Sequence, residues 1–181
     1  MELNYIVKSK EYSTVRQIIK NEFNISARLV SKLKLNKKIL LNQSPIYLDK
    51  KICIGDCISC NLDINEESKG IIPTKMDLNI IYEDDAYIVL TKPVNIPIHP
   101  SYENFENSLA NGVEYYFKTN NIKRKIHIVN RLDKNTSGLV IIAKNEYIQE
   151  NLAMQMKKGI FIKKYIAIVE RNSRRKRRNN R

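Results

Sequence analysis

The sequence predicts an α+β fold in two parts: a small helix-helix-sheet module, then a mixed β-sheet domain with flanking helices. Three observations predict it. Apolar residues recur at helical spacing in some segments and alternate in others, and Gly, Pro, Asn and Asp mark the changes of period. A polar stretch at 63–76, with Gly70 and Pro73, reads as a linker. Charge differs along the chain: residues 1–60 hold 11 basic and 5 acidic side chains, 61–170 hold 14 of each, and 171–181 hold 7 basic and none acidic. The expected division is therefore 1–62, the linker 63–76, 77–170, and a basic disordered tail at 171–181, where like charge without apolar residues cannot offset the entropy of ordering.

In the first part, STVRQIIKNEF places Val15, Ile18, Ile19 and Phe23 on one helical face, with Ser13 or Thr14 as N-cap. Asn24 and Ser26 break the chain, and ISARLVSKLKL restarts as a basic amphipathic helix. Its apolar stripe is Leu29, Val30 and Leu33, while Arg28, Lys32, Lys34 and Lys37 project elsewhere. KKILLNQSPIYL and KKICIGDCISCNL then read as short strands, the second alternating around a Gly55-Asp56 turn as two strand pieces.

Beyond the linker, NIIYEDDAYIVLTKP reads as two strands split at Glu83-Asp84-Asp85 and ended by Pro93. SLANGVEYYFKTN is a short helix with Leu109, Val113 and Tyr116 or Phe117 on one face. IHIVNRLDKNTSGLVIIAKN reads as strand, polar loop, strand. EYIQENLAMQMKKG is helical, with Ile148, Leu152 and Met156 on one face and Gly159 as C-cap, and IFIKKYIAIVE reads as a last strand.

Several function classes are set aside by composition. The apolar runs are far shorter than the roughly 20 residues that cross a bilayer. MELNYIVKSKEY lacks the apolar region and cleavage site of a secretory signal, so a cytoplasmic location and no membrane partner are expected. Cys53, Cys57 and Cys60 follow the C-x3-C-x2-C order of iron-sulfur ligands in radical enzymes that use S-adenosylmethionine. A strand-like setting and two distant histidines argue instead for buried free thiols in a reducing compartment and for no metal. A net charge of +13, concentrated at the two ends, fits a polyphosphate partner for the basic module.

The segment Arg131-Leu132-Asp133-Lys134-Asn135-Thr136-Ser137-Gly138 carries the most chemistry. If it is extended at its start, Arg131 and Asp133 share a face and Leu132 points into the core. A guanidinium beside Asp133 would favour the carboxylate, which would remain an anion at neutral pH.

Residues 12–62 resemble the S-four type of RNA-binding domain through Ser26-Ala27-Arg28, the basic helix, Leu41-Asn42 and Gly55-Asp56. That resemblance implies phosphate contacts from Arg28, Lys32, Lys34, Lys37 and Lys38. VNRLDKNTSGLVIIAKN resembles the catalytic motif of the RluA family of RNA pseudouridine synthases, and YEDDAYIVLTKPVNIPIHPS its first core motif, with Lys92-Pro93 and His99-Pro100 in place. Leu109-Ala110-Asn111 and the Lys163, Tyr165, Ala167 run match further motifs. The resemblance implies isomerisation of uridine in structured RNA, ribosomal RNA above all, without cofactor or metal. Asp133 would be the essential carboxylate, acting by nucleophilic attack or proton abstraction. Arg131 would pair with it and help displace the flipped base, and Tyr165 would cover the uracil. Lys92 and His99 would shape the pocket or the RNA surface.

Two departures accompany the resemblance. Asn130 stands where histidine is commoner, a neutral amide that still hydrogen-bonds. Past Val169-Glu170 the chain runs into RNSRRKRRNNR, where the family continues with more sheet and a second basic motif. The expectation from this is a C-terminally truncated synthase with an incomplete catalytic sheet and little activity. The alternative is a non-catalytic RNA-binding protein.

Overall fold

A computed structural model describes residues 1–66, 68–102 and 104–170. The expected tail at 171–181 lies outside the described residues. The chain forms two antiparallel sheets, each with its own apolar core and two helices.

The first sheet is built from β1 (Glu2–Ile6), β2 (Ile39–Leu41), β3 (Ser44–Pro45) and β4 (Cys57–Asn61), in the order β1-β4-β2-β3. Asn42 and Gln43, at φ 48° and 67°, make the tight left-handed turn of the β2-β3 hairpin. Over the sheet lie α1 (Val15–Asn21) and α2 (Ala27–Leu35). Gln17 Oε1 accepts the Thr14 N–H, and Ser26 Oγ accepts the Leu29 N–H at 3.3 Å, so both helices start at side-chain caps. Val15, Ile18, Ile19, Leu29 and Leu33 fill the core against Ile39 and Ile58.

Two readings of this part are corrected. β1 precedes the first expected element; its partner β4 lies at the other end of the module, so no local turn signals the pairing. Only the second half of the Cys53–Cys60 segment is a strand. Cys60 alone is a buried thiol, pushed up to about 12 by desolvation, while Cys57 is half-buried and Cys53 exposed.

The second sheet comprises β5 (Asn79–Glu83), β6 (Tyr87–Lys92), β7 (His127–Ile128) and β8 (Gly138–Ala143), in the order β5-β6-β8-β7. Along β6, Ile88, Leu90 and Lys92 point inward. α3 (Leu109–Thr119) buries Leu109, Val113 and Phe117 in one core with Ile88, Leu90, Val140 and Ile142. The sheet was expected to be mixed, yet every neighbouring pair is antiparallel. β7 runs in the same direction as β6, and the return strand β8 inserts between them.

The segment 160–170 is also corrected: it forms no strand and joins no sheet. Residues 161–166 line a cleft together with Val89, Leu139 and Ile141 on a sheet face rather than pairing along an edge. Ile162, Ile166 and Ile168 are exposed as a result.

α4 (Glu146–Lys157), capped by Asn145, buries none of its residues fully; it meets the first part through Tyr147, which packs on the first core, and through polar contacts. Lys32 Nζ lies 2.6 Å from Glu146 and 3.1 Å from Glu66, Arg28 Nε lies 3.2 Å from Glu146, and Ser26 Oγ donates to Glu150 at 2.8 Å. Nearby, Asp63 pairs with Arg124 and with the N-terminal amine. Burial raises the Glu146 pKa, but the Lys32 hydrogen bond and the charges of Lys32 and Arg28 outweigh it and hold the carboxyl below its ordinary 4.5.

A folded pKa below the unfolded one adds stability above the unfolded value and loses it as pH falls through the folded one. Glu146→Gln should therefore lower stability by about 1–3 kcal/mol at pH 7, between the exposed and buried limits for ion pairs. The difference from wild type should close as pH falls below 4.5. Denaturant melts at pH 7 and pH 3 check this, and an equal deficit at both would contradict it.

Candidate active site

The loop from Arg131 to Ser137 leaves the sheet after β7 and re-enters at Gly138. Gly138 has φ +137°, a conformation that side-chain-bearing residues rarely adopt, so glycine sets the angle of re-entry. The Thr136 N–H donates to the Asp133 carbonyl at 3.0 Å and closes a turn over Lys134-Asn135. Leu132 packs on the second core while Arg131 and Asp133 are exposed, which is the expected alternation.

The expected Arg131–Asp133 ion pair is not formed: among the described residues no such contact falls within 4 Å. Asp133 opens the turn that the Thr136 N–H closes. The charge of Asp133 acts on Lys92 instead.

Lys92 is the buried centre of the site. It ends β6 with 0% exposure, and its Nζ donates to the carbonyls of Pro93 at 2.8 Å, Ile96 at 2.8 Å and Lys134 at 3.0 Å. One ammonium thus ties the loop after β6 to the loop that carries Asp133. Desolvation pulls its pKa below 10.5, and the Asp133 charge opposes that shift. The signal for this was present in the sequence, since Lys92 continues the inward series of Ile88 and Leu90. His99 is held below the usual 6.5, first by desolvation and then by the charge of Arg131, so its ring is neutral at pH 7.

Tyr165 lies elsewhere. It is 62% exposed and, with Phe161, Leu132, Leu139 and Ile141, lines a cleft of about 480 Å³ on the outer sheet face. The cleft takes in Leu132 and Thr136 of the loop but neither Arg131 nor Asp133.

The expected phosphate contacts divide into two groups. Lys32 and Arg28 are engaged with Glu146, a partner that no local pattern announces, because α4 lies more than a hundred residues along the chain. Lys34 and Lys37 are exposed and Lys38 is partly so; Lys34 Nζ sits 5.7 Å from the centre of the exposed Tyr47 ring.

Residues 86–180 match the RNA pseudouridylate synthase family. A protein named ribosomal large subunit pseudouridine synthase D from Blochmanniella floridana is 36% identical over 140 residues, 75% of this chain and 44% of the relative. A protein of the same name from Buchnera aphidicola is 34% identical over 80% of this chain and 46% of its own length. The uncharacterized RNA pseudouridine synthase YjbO of Bacillus subtilis is 28% identical over 82% and 53%. The chain spans about half the length of these curated relatives. Among solved structures, human RNA pseudouridylate synthase domain containing 4 superposes with a TM-score of 0.37 at 20% identity, over 44% of this chain and 30% of that one. The match over residues 86–180 takes in β6, the Arg131–Ser137 loop and β8, and the chain belongs to the RNA pseudouridylate synthase family.

Proposed function

We propose that this chain isomerises uridine to pseudouridine in structured RNA, with ribosomal RNA as its substrate class and the cytoplasm as its place of action. The observation that carries the reading is the placement of Asp133: an exposed carboxylate whose loop is tied to the core by the buried ammonium of Lys92. A uracil inside a stacked helix is out of reach of such a loop, so the target nucleotide must be flipped out to meet it. Asp133 then acts on the sugar as nucleophile or base while the glycosidic nitrogen bond breaks, and the base rotates and rejoins through carbon. The reaction is redox-neutral. Arg131, exposed on the same loop, faces the RNA and supports the flipped state, and Tyr165 covers the base from the sheet side.

Residues 1–62 serve as an S-four-like RNA-binding module, 63–76 as its connection, and 77–170 as the catalytic part. Lys34, Lys37 and Lys38 provide the first phosphate contacts of that module. Arg28 and Lys32 join them at the rim of the Glu146 contact. The names of the curated relatives support ribosomal RNA as substrate.

Asp133→Asn should lower conversion of uridine in a ribosomal RNA transcript by at least about a hundredfold, the scale of losing one positioned electrostatic partner. RNA affinity should stay within about twofold; conversion near the wild-type rate would reject Asp133 as the reacting group.

Lys92→Met should leave three carbonyls without their donor and cost about 1–3 kcal/mol for each one that water cannot reach. Thermal melts and the conversion rate should fall together. Stability unchanged in Lys92→Met would mean that water replaces the ammonium.

If about four cations neutralise phosphates, log affinity for RNA should fall with log salt at a slope near −3. Charge reversal at Lys34 and Lys37 should flatten that slope by about one or more. A slope unchanged in the double variant would move the RNA contact elsewhere.

A further inference from the structure

The edge of β8 that faces β7 is finished by a side chain. β7 pairs His127 with Ala143 and Ile128 with Ile142. Continued in the same register, Val129 faces Ile141 and Arg131 faces Leu139. The first of these rungs is half made, since the Val129 N–H donates to the Ile141 carbonyl at 2.9 Å. The Ile141 N–H turns instead to Asn130 Oδ1 at 2.8 Å, and Asn130 Nδ2 donates to the Leu139 carbonyl at 2.9 Å. One carboxamide stands in for the Val129 carbonyl and the Arg131 amide that an unbroken ladder would supply. Its orientation is fixed chemically: a backbone N–H must meet the oxygen and a backbone carbonyl the nitrogen, so a flipped amide would lose both bonds.

We propose that Asn130 is a positioning residue that ends the β7 ladder one residue before Arg131, releasing the Arg131–Asp133 segment from the sheet in one conformation. This deepens the isomerase reading and rests on Asp133 as its reacting carboxylate. Without the amide, Leu139 and Ile141 present an unpaired edge that the loop backbone can occupy by extending the ladder. Such a slip draws Arg131 into the strand and moves Asp133 along the edge of β8. The released span is short. It is held at its start by Asn130 on β8 and just past its end by Lys92 on the Lys134 carbonyl, so three residues carry the exposed cation and carboxylate between two fixed points.

Few side chains meet this demand. Aspartate keeps the acceptor for Ile141 but sets an oxygen against the Leu139 carbonyl. Alanine offers neither group.

The test compares the full chain with Asn130→Ala and Asn130→Asp on a large-subunit ribosomal RNA transcript carrying tritium at uracil carbon 5. Release of tritium reports conversion, and amide exchange is followed in parallel. Both variants should lose about a hundredfold in kcat with KM within about twofold, the scale of a small misplacement of a reacting group. Exchange should quicken across residues 131–137 and stay unchanged in β6. A kcat within about threefold of wild type overturns the proposal. So does a fall in kcat accompanied by faster exchange throughout β6, which would make Asn130 a general support of the sheet. If the wild-type chain converts no uridine, the isomerase reading fails by itself, and exchange at 131–137 decides the role of Asn130: faster in Asn130→Ala sustains it, unchanged overturns it.

Discussion

A lysine ammonium has three N–H donors, and at the end of β6 all three are used on backbone carbonyls. Lose the proton and only two donors remain, so the arrangement requires the charged form in a position with no exposure to water. Burial works against that charge and pulls the Lys92 pKa down. The folded chain therefore holds this proton less tightly than the unfolded chain does, and stability rises with pH across the interval between the two values. At neutral pH the buried ammonium is an expense to folding that the nearby charge of Asp133 offsets only in part, while its three charge-assisted hydrogen bonds fix its place. What that expense secures is geometry: the loop after β6 and the loop bearing Asp133 cannot move independently while one nitrogen holds both.

The contact between the two parts of the chain follows different physics. α4 contributes no fully buried side chain: Tyr147 packs partly buried on the first core, and the link to α2 runs through Glu146, Glu150 and their cationic and hydroxyl partners. Such contacts weaken with salt and with protonation far more than an apolar seam does. They also divide the labour of the basic helix. Arg28 in its first turn and Lys32 in its last spend their charge on Glu146, whereas Lys34, also in the last turn, and Lys37, just past the helix, keep theirs in solvent. Periodicity alone describes all of these as one exposed basic face. The fold splits that face between an internal anion and whatever polyanion the module meets.

Local order was legible in the sequence because local rules decide it. Helices begin where Thr14, Ser26, Ser108 and Asn145 cap them, and the apolar stripes bury as the spacing requires. The Arg131–Ser137 loop was legible for a similar reason: turn-forming residues between two strand patterns, with Leu132 as the inward member of the alternation. Lys92 was half legible. Its place in the inward series of β6 was visible, but its three acceptors come from two loops, one of them 42 positions along the chain.

Features that depend on a distant partner were not legible, and the segment from Ile160 to Glu170 shows why. Its alternation is as strand-like as that of β6, because period-two patterning records only that the two faces of an extended chain differ. Whether such a chain becomes a strand depends on an edge at the right height and direction, which is a property of the rest of the fold. β1 has an edge: it lines up with β4 over five rungs, its burial alternating along the strand. Residues 161–166 instead line a cleft shared with Val89, Leu132, Leu139 and Ile141 on the face of β6 and β8. Contacts with a sheet face satisfy apolar surface but leave backbone N–H and C=O groups to water. Tyr165 therefore reaches the rim of the Arg131–Ser137 loop only as a lining residue of that cleft, 62% exposed and outside any ladder.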